Sequence, residues 1–288
     1  MKNVQYFAPD TLEEALQLLQ AYAPRISVLA GGTDLVRDMN LEYKIPDNIL
    51  WIGKLPLEYI VEDGEVIRIG AATRMQTAGS SALLKEKARA VAQAAGKIAS
   101  PPVRTLATLG GNLCTASPAA DCGCALLGLD AEVVLTRLDG QRVVPLSQFY
   151  LGPNQTVLQP GELLTEIRVR PTLDGEGSAY MKIGRRQAMT LAVLNAASRV
   201  KLDGQGRVAA VSVAVGAAAP TLLRMKAVET MLLGQMLSEA AILEAGEIAS
   251  GNINPINDVH GTVWYRRKVT KVVVARTLRE AAGMNGGG

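Results

Sequence analysis

Two glycine pairs constrain this chain more than any other feature: Gly31-Gly32 in LAGGTD and Gly110-Gly111 in TLGGN. Each follows an apolar stretch and precedes a small polar residue. Adjacent glycines reach positive φ and let the backbone come close to other atoms, so successive N–H groups can converge on an anion. One Gly-Gly is usually a turn. Two, from distant parts of one chain, can grip a pyrophosphate from both sides, with Thr33, Thr108 and Asn112 as side-chain donors. The sequence has no G-x-G-x-x-G at a strand–helix junction, which argues against the classical dinucleotide fold. It has no G-x-x-x-x-G-K-[ST], which excludes P-loop chemistry.

Composition narrows the chemistry. His260 is the only histidine, so a His-rich metal site is excluded and Ser-His-Asp or Cys-His catalysis is not expected. Cys114, Cys122 and Cys124 have the spacing C-x7-C-x-C, which fits neither a zinc ribbon nor a ferredoxin run. They read as reduced thiols packing as small hydrophobes along the second glycine loop. With phenylalanine only at 7 and 149, a base-stacking platform is not expected. A net charge of +3 is too small to argue for nucleic acid. No apolar run is long enough to span a bilayer, and MKNVQYFAPD has no apolar signal region, so a cytoplasmic chain is expected.

With 288 residues, two domains are expected. The pattern predicts a helix over 11–20, capped by Asp10 or Thr11, and a short buried strand over 26–30 that runs into the first glycine pair. Strands are expected over 48–52 and 66–69, and a helix over 82–96. The stretch SPPVRTLATLGGNLCTASPAADC reads as a long functional loop. Strands 131–137 and 141–145 pair across Asp139-Gly140, and 166–170 adds another. Composition changes at PTLDGEG, which sets a boundary at 172/173. Beyond it come strands 179–183, 192–202 and 207–216, the last two joined through Asp203-Gly204-Gln205-Gly206. Helices follow over 224–233, 238–249 and 262–282. Only the terminal Gly286-Gly287-Gly288 is low-complexity.

The segments LAGGTDLV, IASPPVRTLATLGGNLCTASPAADC, PGELLTEIRV, AYMKIGRRQAMTLAVLNAASRV and DVHGTVWYRRKVTKVVVARTL resemble, in order and spacing, the FAD-binding (medium) subunit of the molybdenum hydroxylases. That family includes xanthine, carbon monoxide and nicotinate dehydrogenases and aldehyde oxidoreductases. The resemblance covers nearly the whole chain. It implies an α+β fold: an FAD-binding domain of the p-cresol methylhydroxylase (vanillyl-alcohol oxidase) type over 1–172, in subdomains of about 1–55 and 56–172. A carbon monoxide dehydrogenase flavoprotein-type α+β domain would occupy 173–288.

The resemblance also implies roles for residues. Val28, Leu29, Ala30, Gly31, Gly32, Thr33, Asp34 and Leu35 would hold the FAD pyrophosphate, mainly through Gly31, Gly32 and Thr33. Thr108, Leu109, Gly110, Gly111 and Asn112 would form a second phosphate clamp. Asp121 matches an acid that contacts the cofactor; it could also cap a helix beginning at Cys122. Leu164 matches a residue whose backbone approaches the flavin ring. Lys182 matches a lysine at the cofactor, where a cation would favour the reduced anionic ring; otherwise it is a solvated strand lysine. Ile98 stands where some relatives carry an aromatic residue near the flavin, and Thr190 where relatives often have Asp.

The function implied is electron transfer by non-covalently bound FAD in an oxidoreductase complex. A large molybdopterin subunit would oxidise the substrate, and a small subunit with two [2Fe–2S] clusters would pass electrons to this FAD. NAD or another oxidant would then take them, within a dimer of heterotrimers. No residue of this chain is expected to be catalytic or to bind metal. The alternative is a stand-alone FAD-dependent NAD(P)H reductase of the same cofactor fold.

Overall fold

A computed structural model describes residues 4–284, so Gly286-Gly287-Gly288 lies outside the described residues. The first unit contains β1 (Gln5–Phe7), α1 (Leu12–Tyr22), β2 (Ile26–Leu29), α2 (Leu35–Asn40) and β3 (Asn48–Trp51). Its strands form a parallel sheet in the order β1-β3-β2. Thr11 caps α1 by accepting from the Glu14 N–H at 3.2 Å. The buried face of α1, Ala15, Leu16 and Leu19, packs on Leu50 and Ile52. β2 is not the buried strand its apolar run suggests. It is the sheet edge, only Ile26 reaches the core beneath, and Val28 is 36% exposed.

The second unit opens with β4 (Ile60–Asp63) and β5 (Val66–Gly70). Six short helices follow: α3 (Met75–Ser80), α4 (Ala82–Lys87), α5 (Arg89–Lys97), α6 (Pro101–Arg104), α7 (Leu109–Thr115) and α8 (Asp121–Gly128). Then come β6 (Glu132–Arg137), β7 (Gly140–Pro145), β8 (Tyr150–Gly152), β9 (Gln155–Thr156) and β10 (Leu163–Val169). The main sheet is antiparallel, β4-β5-β10-β6-β7, and β8 and β9 form a small ribbon. The β6–β7 hairpin closes with Arg137 opposite Gly140, so Leu138 and Asp139 make the turn and Gly140 already belongs to β7, one residue before the expected Asp139-Gly140 turn. The expected helix over 82–96 is two helices, because the backbone breaks at Ala88 (φ −150°).

The stretch rich in Pro, Gly, Ser and Thr is not a loop. Its prolines start α6, and Thr108 caps α7. Its glycines permit close packing: a Cβ on Gly110 would stand 2.7 Å from the Ala71 carbonyl oxygen. β10 begins three residues earlier than its period suggests because both its faces are covered. Leu163 faces the first core and Leu164 the second.

The third unit is β11 (Glu176–Ile183), β12 (Leu194–Leu202), β13 (Val208–Gly216) and β14 (Leu223–Arg224), an antiparallel sheet in sequence order. Helices α9 (Lys226–Leu232), α10 (Glu239–Gly251) and α11 (Val263–Ala281) follow. Ser238 and Thr262 cap the last two through the Ala241 and Tyr265 N–H groups, each at 3.2 Å. Strands then helices is the arrangement the sequence implied. One face of this sheet packs on α9–α11. The other is covered by α5 and α8 of the preceding unit: Tyr180, Ala197 and Ala214 share one core with Val91, Cys122, Cys124 and Leu126. All eight residues of α8 are buried, and a Cβ on Gly128 would lie 2.8 Å from that of Ala197. The two halves are therefore welded by a continuous apolar core.

At the junction, Glu176 fastens the chain crossing. Its carboxylate, 1% exposed, accepts from Arg199 at 2.6 and 2.9 Å, Arg170 at 2.7 Å and the Leu173 N–H at 3.1 Å. Arg199 also donates to the Pro171 carbonyl at 2.9 Å. Burial alone would raise the acid's pKa, but these donors outweigh it and hold Glu176 at about 2. In the unfolded chain a glutamate titrates near about 4.3. The clamp therefore contributes fully above about pH 5 and is lost as pH falls toward 2. Glu176→Gln is expected to destabilise the neutral protein by about 3–5 kcal/mol, because Arg199 keeps a buried charge without a counter-ion. It should also flatten the loss of thermal stability between pH 5 and 2. Melting curves across that range check both; a pH slope equal to that of the unaltered chain would contradict the assignment.

Candidate functional site

The first glycine loop leaves β2 at Leu29, whose carbonyl takes the Ile52 N–H at 3.0 Å, and enters α2. Gly32 has φ +75°, the left-handed conformation that favours glycine. Gly31 is required for a different reason: a Cβ there would lie 1.8 Å from the Leu106 carbonyl oxygen. The Gly32 carbonyl takes the Val36 N–H at 3.0 Å. Among the described residues, no acceptor meets the N–H groups of Gly31, Gly32, Thr33, Asp34 or Leu35. That leaves five donors on one turn without an internal partner, an arrangement suited to an anion.

The second loop differs. The protein itself takes the N–H groups of Leu109, Gly110, Gly111 and Asn112. Leu109 donates to the Thr73 carbonyl at 2.9 Å and Gly110 to that of Ala71 at 2.8 Å. Gly111 donates to the Thr108 hydroxyl at 3.1 Å and Asn112 to the Thr108 carbonyl at 3.0 Å. Neither glycine has positive φ. What this segment offers instead is a side chain: Asn112 Oδ1 is buried and has no hydrogen-bond partner.

The two loops lie together. Gly31 touches the backbone at Leu106, and the Thr115 hydroxyl at the end of α7 donates to Asp34 Oδ2 at 2.8 Å. Leu164 comes near the second loop only through its neighbour. The neighbouring Thr165 carbonyl takes the Ala71 N–H at 3.0 Å, and the Ala71 carbonyl takes Gly110. The Leu164 side chain itself is 3% exposed and belongs to the core.

Ile98, Asp121 and Lys182 form a second group. Asp121 does not cap α8: Ala120 holds that position and no capping hydrogen bond is made. Its carboxylate, 9% exposed, instead accepts from Lys182 Nζ at 2.8 Å, Asn195 Nδ2 at 3.3 Å and the Tyr180 hydroxyl. Nor is Lys182 a solvated strand lysine. Its side chain is 7% exposed and also donates to the carbonyls of Lys97 at 3.0 Å and Thr190 at 3.3 Å. Ile98 follows Lys97, is nearly buried, and its carbonyl takes Arg104 Nη1 at 2.8 Å. Burial first, and then Asp121 beside it, push the Tyr180 phenol well above its ordinary range.

Tyr180 and Asn195 escaped the sequence reading. The available signal was strand periodicity: Tyr180 and Lys182 are two apart on β11, and Asn195 stands opposite Lys182 in register. The cysteines do not share a site. Cys122 Sγ lies 3.5 Å from Met75 Sδ, Cys124 Sγ contacts the Ala214 carbonyl at 3.6 Å, and Cys114 is exposed. Burial raises the pKa of the Cys122 and Cys124 thiols, so both pack as small apolar groups.

Two family models match the chain. Residues 2–172 match the FAD binding domain in molybdopterin dehydrogenase. Residues 178–281 match the CO dehydrogenase flavoprotein C-terminal domain. Subunit alpha of the 6-hydroxypseudooxynicotine dehydrogenase complex of Paenarthrobacter nicotinovorans is 33% identical, over 97% of this chain and 94% of that protein. The carbon monoxide dehydrogenase medium chain of Hydrogenophaga pseudoflava is 31% identical, over 96% of each. A solved structure of carbon monoxide dehydrogenase from Hydrogenophaga pseudoflava, lacking the Mo-pyranopterin moiety, superimposes with a TM-score of 0.94 at 32% identity, covering 98% of both chains. The chain therefore belongs to the FAD-binding medium subunits of the molybdenum hydroxylases, oxidoreductase components built from an FAD-binding domain and a CO dehydrogenase flavoprotein C-terminal domain.

Proposed function

We propose that this subunit carries electrons between a small iron–sulfur subunit and NAD or another oxidant, through FAD held at the first glycine loop. The observation that carries the reading is the run of unclaimed N–H groups from Gly31 to Leu35. An extended dinucleotide diphosphate suits them, since several backbone donors on one turn satisfy phosphate oxygens without a side-chain cation. The orphaned Asn112 Oδ1 suits a donor on the same ligand. FAD accepts and gives up electrons singly or in pairs, so the protein need not supply a catalytic acid or base.

Within this reading, Val28, Leu29 and Ala30 lead the chain into the loop. Gly31, Gly32, Thr33, Asp34 and Leu35 hold the diphosphate. Thr108, Leu109, Gly110 and Gly111 contribute mainly by building α7 and placing Asn112. Lys182 and Asp121, with Ile98 and the Leu164 backbone, border the flavin end. The ion pair matters there: Asp121 offsets much of the Lys182 charge, so the pair's geometry rather than a bare cation tunes the ring.

We place the domain division at 172/173, supported by the strand order, since no strand is shared between the sheets on either side. The [2Fe–2S] clusters and molybdopterin belong to small and large partner subunits, assembled with this chain as a dimer of heterotrimers in the cytoplasm. The relatives' names, a medium chain and a subunit of a complex, support the presence of partner subunits. Among the described residues, no helix is long and apolar enough to cross a membrane. The direct test is reconstitution: substrate should reduce this FAD only when both partner subunits are present. Turnover by the isolated chain would favour a stand-alone NAD(P)H reductase.

The glycines give an ordered prediction. Gly31→Ala and Gly32→Val should abolish FAD uptake with little change in far-UV circular dichroism, because one clashes with Leu106 and the other cannot hold φ +75°. Gly111→Ala should retain FAD, since its backbone is not left-handed and its Cβ, 2.9 Å from the Thr108 hydroxyl, would displace the cap of α7 without touching the donors of the first loop. Bound flavin per chain, read from absorbance, decides; equal loss in all three would contradict the asymmetry of the loops. Lys182→Met should cost about 3–5 kcal/mol by leaving Asp121 buried and unpaired. It should also lower the potential of the bound flavin. Asp121→Asn combined with Lys182→Met should recover much of the stability, as chemical denaturation would show.

A further inference from the structure

Asp34 stands immediately before α2, where an aspartate ordinarily bonds the first N–H groups of its own helix. Here it makes no such bond, and its backbone is helical (φ −101°, ψ −52°) rather than extended. Its Oδ2 accepts instead from the hydroxyl of Thr115, on the far side of the paired loops, at 2.8 Å. The same hydroxyl lies 3.0 Å from the Gly111 carbonyl, but its single proton serves one acceptor at a time, and the shorter contact, to Asp34, is the one that ties the last residue of α7 to the first loop. The remaining ionic partner of Asp34 is Arg37, at 3.5 Å and 58% exposed, a weak surface contact.

The direction of this carboxylate matters because Asp34 belongs to the turn whose N–H groups are unclaimed. Released, an aspartate at such a place turns to backbone N–H groups two or three residues on. Those groups, on Val36 and Arg37, lie in the first turn of α2, and the Val36 N–H is already given to Gly32, so the released carboxylate would not occupy the free donors but would bring a negative charge beside them, where it would repel a bound anion.

We propose that Thr115 is a positioning residue: by holding the Asp34 carboxylate against α7, it keeps the N–H groups of Gly31, Gly32, Thr33, Asp34 and Leu35 clear for the diphosphate of FAD. This rests on the FAD reading above. A hydroxyl is the group suited to the task. It donates to the carboxylate without the cation that would pull the ligand itself out of place, and it sets the register of two loops far apart in sequence.

The test is the affinity of the full-length chain for FAD. Bound flavin is stripped and FAD is titrated back, following the quenching of flavin fluorescence, with circular dichroism confirming that each stripped variant is folded. Thr115→Val should weaken binding about tenfold, the scale of one like-charge contact near the protein surface. Thr115→Ala should do the same, which covers the case in which valine disturbs α7. Thr115→Ser should bind as the unaltered chain does. Asp34→Asn combined with Thr115→Val should recover most of the loss, because the repelling charge is gone; a purely structural role for Thr115 would leave the double variant as weak as the single one. Unchanged affinity in Thr115→Val and Thr115→Ala, or no recovery in the double variant, would overturn the inference while leaving the FAD reading intact. An unaltered chain that takes up no FAD would overturn both.

Discussion

Asp121 puts a carboxylate where the two halves of the molecule meet, and a charge so buried is tolerated only when it is fully partnered. Its partners come from the other half: Lys182 and Tyr180 on β11 and Asn195 on β12. Neither half can therefore shift without stranding the charge. Because Lys182 also reaches back to the Lys97 carbonyl, the same contact positions the end of α5 and Ile98. The apolar packing of α5 and α8 on the C-terminal sheet supplies the bulk of the attraction, but it is not directional. The Asp121 cluster gives it a register.

The paired glycine loops follow a similar division of labour. They look alike in sequence and are built for different tasks. The first keeps its donors free and uses glycine once for conformation and once for contact with Leu106. The second spends its donors on the carbonyls of Ala71 and Thr73 and on capping a short helix, and leaves an asparagine oxygen without a partner. A ligand that bridges them meets backbone on one side and a side chain on the other, which is a more selective arrangement than two identical phosphate nests.

Much of the architecture is legible in the sequence because local chemistry and global packing agree. Thr11, Ser238 and Thr262 cap their helices as their positions suggest, and the β6–β7 hairpin turns within one residue of Asp139-Gly140. The C-terminal strands are apolar enough to be read directly. What escaped has specific causes. α6 and α7 are made of residues whose capping and close-packing uses resemble those of a loop. The break at Ala88 leaves no mark in an alanine-rich run. β2 is apolar and yet lies at an edge. Residue types also hide tertiary partners: nothing within α8 shows that Asp121 turns away from its own helix toward a strand tyrosine and an asparagine. Resemblance to the molybdenum hydroxylases supplied Asp121 and Lys182 as a site, while the contacts of Tyr180, Asn195 and Thr115 emerge only from the fold.

The central claim is that this chain holds one FAD, non-covalently, on the first glycine loop. The most direct measurement is the absorbance spectrum of the purified full-length chain, before and after heat denaturation and removal of the precipitated protein. Flavin bands near roughly 450 nm are expected, as for any flavin, with one equivalent of FAD per chain released intact into the supernatant. A colourless chain that also fails to take up added FAD, or a flavin that stays with the precipitated protein, would contradict it.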